Sequence, residues 1–265
     1  MYSKISLSKK YLLYYLTASN GKGHGIHSPF VFDFVKNVLN DKRNFYAYSQ
    51  IEDLRERMLK DETVIEVEDF GAGSVIAKSK SRSVADIAKH AAKNKKLAQL
   101  LFRISDYFQP KTMIELGTSL GISSAYLASP CPNAKIITIE GSASIAEIAR
   151  KNFQSLALKN IEPITGDFDQ ALPSVLNTLH EIDLAFVDGN HRKQPTLAYF
   201  SQLLEHGAPA SVFIFDDIHW SEEMEQAWEI IKQHERITLT IDLFFIGLIF
   251  FREGFKAKQH FTIRF

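Results

Sequence analysis

Two hydrophobic rhythms alternate along this chain. Short apolar runs at residues 113–116, 135–140, 161–165, 182–187 and 211–215 end in a glycine or an acid, and stretches at helical spacing separate them. Such runs suit strands buried on both faces, so the alternation predicts an α/β architecture built on a mostly parallel sheet. Residues 237–243 and 246–252 predict two further strands around Phe244-Phe245 and Gly247. The tail, residues 259–265, alternates apolar and polar positions and predicts a last strand or a surface for a partner subunit.

The first part of the chain reads differently. Residues 5–16 predict a helix with Tyr11, Leu12, Tyr15 and Leu16 on one apolar side, broken by Asn20-Gly21-Lys22-Gly23-His24-Gly25. Residues 30–39 predict a second helix, with Ser28 as N-cap, Pro29 at the first position, and Phe30, Phe34 and Val38 on one face. Residues 83–108 predict a long helix carrying Val84, Ile87, Leu97, Leu101 and Ile104. The expected division is an N-terminal helical appendage over 1–82, acting as a lid, and a ligand-binding domain over 83–265.

The centre of the pattern is Met113-Ile114-Glu115-Leu116-Gly117-Thr118-Ser119-Leu120-Gly121-Ile122-Ser123. An apolar strand runs into an acid, a glycine-bearing loop follows, and a helix begins. Glycines at 117 and 121 let the backbone turn sharply and approach a ligand, and the first amides of the helix lack intrahelical partners. A pyrophosphate would need glycine where Ser119 and Ile122 stand. A nucleoside carrying an amino acid needs less clearance, and S-adenosylmethionine is such a ligand. Asp69-Phe70-Gly71-Ala72-Gly73-Ser74 has a similar outline, but charged residues follow it, so a loop is expected there.

Here the chain resembles the class I methyltransferases, and within them the catechol-type and sugar-type O-methyltransferases, over roughly residues 83–252. The resemblance implies a Rossmann-like, seven-stranded, mostly parallel sheet with an antiparallel last strand and helices on both faces. It implies a cofactor cradle of Glu115, Gly117, Thr118, Ser119, Gly121 and Ser123, with Glu140 and the adjoining Gly141 at the ribose. Glu140 lies nineteen positions past Gly121, and the following helix is expected to have its own capping box in Ser144 and Glu147, leaving Glu140 for a ligand. Asp167 and Phe168 match the positions that hold adenine, and Asp188 matches one that in metal-free relatives bonds the methionine amino group.

Two strands end in acids, at Asp188-Gly189-Asn190-His191 and at Asp216-Asp217. Parallel strands bring such ends together, and converging carboxylates call for a hard cation, with Mg²⁺ the first expectation. The 28-residue spacing from Asp188 to Asp216 resembles the family's metal pattern, which implies Asp188, Asp216 and Asp217 as ligands. Where catechol enzymes carry a lysine base this chain has His191, a side chain that titrates near neutrality. His191 and Asp188 are therefore the candidate catalytic pair. His219 and Trp220 follow the acid pair, where substrate would enter, and Ser221 is the expected cap of the next helix.

Composition narrows the partners. The formal charge is zero over 265 residues, which disfavours nucleic acid, although the lysines around residues 89–96 keep RNA methylation as an alternative. The small-molecule reading also competes with a non-catalytic scaffold that kept the fold. No Asn-Pro-Pro-Tyr-type motif follows the fourth core strand, which disfavours methylation of base amino groups. Cys131 is single, so no intramolecular disulfide or cysteine metal site can form. His24 and His27 offer too few ligands for a metal site of their own. Residues 1–10 lack a signal-peptide pattern, and the apolar run 241–251 is too short to span a bilayer. A cytoplasmic protein without membrane attachment is the expectation, with a homodimer as the candidate assembly.

Overall fold

The computed structural model describes residues 1–23, 25–68, 81–253 and 257–265. His24 and the segment Asp69–Lys80, with its second glycine loop, lie outside the described residues. Two compact units are present, one of residues 42–178 and one of residues 1–41 with 179–265. They contribute three and five strands to a mixed α/β, Rossmann-like architecture whose eight core strands are mostly parallel. The expected number was seven, and the C-terminal strand is the addition.

In the unit of residues 42–178, helix α3 (Tyr46–Met58) precedes a two-stranded antiparallel ribbon, β1 (Val64–Glu66) and β2 (Ser81–Ser83). Helices α4 (Val84–His90) and α5 (Lys95–Phe108) replace the single helix expected over 83–108. Asn94 divides them, because its side chain accepts from the Leu97 N–H at 3.0 Å and starts a new helix. Then come β3 (Thr112–Leu116), α6 (Ile122–Ala128), β4 (Lys135–Glu140), α7 (Ala143–Ser155), β5 (Ile161–Thr165) and α8 (Phe168–Leu176). Strands β3, β4 and β5 pair in parallel, Leu116 opposite Ile139 and Glu140 opposite Thr165. An aromatic core of Tyr48, Phe102 and Tyr126 packs α3 and α5 against α6.

In the other unit, α1 (Lys4–Thr17) and α2 (Pro29–Phe34) come first. Ser28 stands at the cap of α2 without a side-chain capping bond, and α2 runs into a wide π turn at Val35–Leu39. Strand β6 (Ile182–Val187), α9 (Lys193–Glu205), β7 (Gly207–Asp216), α10 (Glu222–Gln233), β8 (Leu239–Asp242), β9 (Ile246–Phe250) and β10 (Gln259–Thr262) follow. The strand order is β6-β7-β9-β8-β10, with β9 antiparallel to both neighbours and β10 parallel to β8. Ser221 caps α10 as expected, accepting from the Met224 N–H at 3.2 Å.

Helix α1 turns a different side inward from the one its pattern predicted. Tyr14 is buried, while Leu12, Tyr15 and Leu16 are exposed. The helix is apolar around most of its circumference, so periodicity does not choose a face. Polar ties choose it: the Lys10 Nζ meets Glu225 at 3.0 Å, the Tyr2 hydroxyl donates to Glu225 at 2.7 Å, and the Tyr14 hydroxyl donates to the Ile263 carbonyl.

Gly247 on β9 shows how tightly this unit is packed. A Cβ there would stand 2.7 Å from the ring of Trp228, which is 1% exposed. Gly247→Ala is expected to destabilise the protein by about 1–3 kcal/mol through overpacking, read as a lower urea midpoint at unchanged slope; an unchanged midpoint would show that the ring has room to move.

Candidate functional site

The predicted cofactor residues gather at the carboxyl ends of β3, β4 and β5. Glu115 is fully buried and does not reach solvent. Its Oε2 accepts from the Ser124 hydroxyl and, at 2.6 Å, from the Thr138 hydroxyl, whose oxygen also lies 2.6 Å from that of Thr118. Glu115 thus fixes the loop to its neighbouring strand. Ser123, expected to serve a polar end of the ligand, is likewise 5% exposed.

The loop is held to β4 by backbone bonds. The amides of Gly117 and Thr118 both donate to the Ile139 carbonyl, at 3.0 and 3.2 Å. Ser119 has φ 47°, and its N–H donates to Glu140 Oε2 at 2.8 Å. Its hydroxyl is buried without a hydrogen-bond partner among the described residues. Gly121 has φ 86°, and a Cβ there would come within 2.5 Å of Phe153, so glycine is required for both reasons.

Glu140 has a structural duty that the sequence did not reveal. Helix α7 starts at Ala143, and the expected capping box is absent: the Ser144 hydroxyl donates to the Glu66 carbonyl and Glu147 pairs with Lys151 at 2.8 Å. Glu140 Oε1 instead accepts from the Ser142 N–H at 3.0 Å, beside Gly141. Each carboxylate oxygen therefore carries at least one backbone N–H, and the pair keeps lone-pair capacity for a ribose hydroxyl. Asp167 caps α8, accepting from the Asp169 N–H at 2.8 Å, and Phe168 is half-buried at the start of that helix. The Gly166 N–H donates to the Glu140 carbonyl at 2.9 Å, which ties this end to Glu140.

In the other unit, the parallel register of β6 and β7 sets Val187 opposite Phe215, so Asp188 and Asp216 leave their strands at the same end. One ligand atom from each of Asp188, His191 and Asp216 lies within 4.8 Å of the others. His191 Nε2 is 3.7 Å from Asp188 Oδ1, and Asp216 is 1% exposed. Asn190, with φ 50°, turns the chain between them and donates to the Tyr199 hydroxyl at 3.1 Å.

Asp217 does not join this group. Successive strand residues face opposite sides, and Asp217 then adopts φ 54° with its N–H on the Phe245 carbonyl at 2.7 Å. The expected trio of aspartates is replaced by two aspartates and His191. His27 is exposed and has no place in the cluster. His219, expected at a substrate entrance, is a clasp: its Nε2 meets Asp242 at 2.8 Å, its Nδ1 meets Glu225 at 3.1 Å, and its ring stacks on Phe244.

The fold is similar to that of solved methyltransferases. A family model described as a methyltransferase domain matches residues 114–218, the span from the Glu115 strand to just past Asp217. Among solved structures, a Podospora anserina methyltransferase bound to SAH (S-adenosylhomocysteine) is 13% identical with TM-score 0.58, covering 96% of this chain and 98% of its own. An O-methyltransferase from Bacillus cereus in complex with SAH is 20% identical with TM-score 0.56, covering 83% and 97%. The release factor glutamine methyltransferase of Escherichia coli (strain K12) is 35% identical over 74 residues. That match is 28% of this chain and 26% of the enzyme, so the chain spans about a quarter of that curated relative. No helix among the described residues is long and apolar enough to cross a membrane.

Burial holds the Glu140 carboxyl above its ordinary 4.5, against the lowering effect of the Ser142, Ser119 and Gly141 amides. The folded state therefore binds that proton more tightly than the unfolded state. Its contribution to stability is complete below pH 4.5 and is lost as pH rises through the elevated value. Wild type is expected to lose unfolding free energy relative to Glu140→Gln as pH climbs from 4.5 towards neutrality. Parallel stability profiles for the two proteins would remove Glu140 as the source.

Proposed function

We propose that this protein transfers the methyl group of S-adenosylmethionine to an oxygen of a small-molecule acceptor. The observation that carries the reading is the convergence of Asp188, His191 and Asp216 in a chain whose loop between β3 and α6 suits a nucleoside. In the donor site, Glu140 would accept from the ribose hydroxyls, Asp167 and Phe168 would face the adenine, and the buried Ser119 hydroxyl would gain the partner it lacks. Glu115 positions this loop from beneath.

The donor is a sulfonium, so little activation of the methyl group is required. Its S–CH₃ bond breaks with the electron pair going to sulfur, an O–CH₃ bond forms, and the acceptor hydroxyl must lose its proton. Holding that oxygen in line with the methyl group is the protein's main task. His191 would take the proton, with Asp188 beside it stabilising the imidazolium.

The donor set also fits a divalent ion, because two carboxylates converging at a buried strand end repel unless a cation lies with them. Asp188 and Asp216 would hold it, with His191 adjoining. Such an ion, when bound, lowers the pKa of the acceptor oxygen. Similarity to the Bacillus cereus O-methyltransferase supports oxygen as the acceptor atom. Zero net charge supports a small molecule over RNA.

Calorimetric titration with S-adenosylhomocysteine, with and without Mg²⁺, is expected to show binding in both cases. No binding to the folded protein would sink the methyltransferase reading. Against a panel of hydroxylated small molecules, His191→Ala is expected to lower turnover by about 10²–10⁴-fold. Asp216→Asn should abolish any dependence on added divalent ions while S-adenosylhomocysteine affinity stays within about twofold. Unchanged turnover in both variants would remove these residues from the chemistry.

A further inference from the structure

Helix α1 presents a hydrophobic stripe that its own unit does not cover. Ile5, Leu12 and Leu16, at spacings of seven and four, share one line along the helix and are 72%, 58% and 67% exposed, with Leu13 beside them at 63%. Isolated exposed leucines are ordinary, but a continuous row of them on one helix marks an interaction surface.

The stripe is not free to turn inward. The opposite side of α1 is already committed: Tyr14 is buried, Tyr11 packs edge-on against Phe244, and Lys10 and Tyr2 are tied to Glu225. Beyond the helix, the Ser19 N–H donates to the Thr262 carbonyl and the Arg264 N–H to the Ser19 carbonyl, anchoring its end to the β10 segment. The fold therefore holds the apolar row outward.

Charge selects what could cover it. Residues 1–32 contain Lys4, Lys9, Lys10 and Lys22 and no carboxylate, in a chain of zero formal charge. Lys4 and Lys9 are exposed and line a shallow hollow with Ile5, Ser8 and Leu12. A symmetric pairing of α1 with its copy would set these lysines against a helix without an acid, so a second copy is disfavoured. An anionic lipid surface satisfies both features, taking the leucines into the acyl boundary while the lysine stems reach back to the headgroups. We infer that α1 docks this protein on anionic membranes. At about 1.5 Å per residue the helix is a surface anchor and does not span.

The full chain would be sedimented with vesicles of phosphatidylcholine alone and with vesicles containing phosphatidylglycerol. Binding is expected to the anionic vesicles only, weakening as salt rises. Leu12→Glu with Leu16→Glu should abolish it, and Lys9→Glu should weaken it by at least about fivefold. All three positions are exposed, and an unchanged thermal midpoint would confirm intact folding. Absence of binding to anionic vesicles, or binding indifferent to the leucine pair, would overturn the inference. A concentration-dependent dimer abolished by the same leucine variants, without vesicle binding, would overturn it too and assign the stripe to a second copy.

Discussion

The buried carboxylate of Glu115 is the constraint on which the donor side of this molecule depends. A carboxyl group taken wholly out of water is costly unless donors surround it, and here the hydroxyls of Ser124 and Thr138 supply them from the next helix and the neighbouring strand. The Thr118 hydroxyl beside Thr138 extends the arrangement into the loop. One buried acid thereby fixes β3, β4, the glycine loop and α6 together. It braces a loop with only two glycines and a left-handed serine between them.

On the acceptor side, strand direction does the equivalent work. Because β6 and β7 run in parallel, two acids placed one residue beyond the paired register must emerge together. That juxtaposition was legible in the sequence, since apolar runs ending in acids specify both strand and polarity. The finer choice was not. Whether Asp216 or Asp217 faces Asp188 depends on the backbone angles at the strand end, and the left-handed φ of Asp217 is set by its bond to Phe245, distant in sequence. His191 enters the cluster because Asn190 also takes a left-handed turn, a conformation asparagine tolerates but does not announce.

Elsewhere two local patterns were outweighed by other partners, some of them far along the chain. Ser144 and Glu147 have the spacing of a capping box, yet Ser144 is drawn to Glu66 and Glu147 to Lys151, so Glu140 takes over the helix start. The α1 pattern allowed several inward faces, and Glu225, more than two hundred residues away, selected one. The break at Asn94 was the opposite case, a local capping signal concealed by apolar spacing that continues across it. Patterns of burial carried the architecture; polar partners decided the orientation of each face.

Two histidines beside acids illustrate why the more firmly engaged group need not be the reactive one. Burial lowers His219, but hydrogen bonds and charges from Asp242 and Glu225 outweigh it and raise its pKa above the ordinary 6.5. Both of its ring nitrogens are engaged by those carboxylates, so it has no nitrogen with which to accept a substrate proton. It clasps α10 to β8, and Glu225 extends the clasp to Lys10 and Tyr2 of the N-terminal segment. His191 is more loosely held: its side chain is 24% exposed, and its Nε2 stands 3.7 Å from Asp188, beyond hydrogen-bond range. An imidazole placed next to a carboxylate yet not consumed by it can take up a proton and be stabilised afterwards, which is what a base for an acceptor hydroxyl requires.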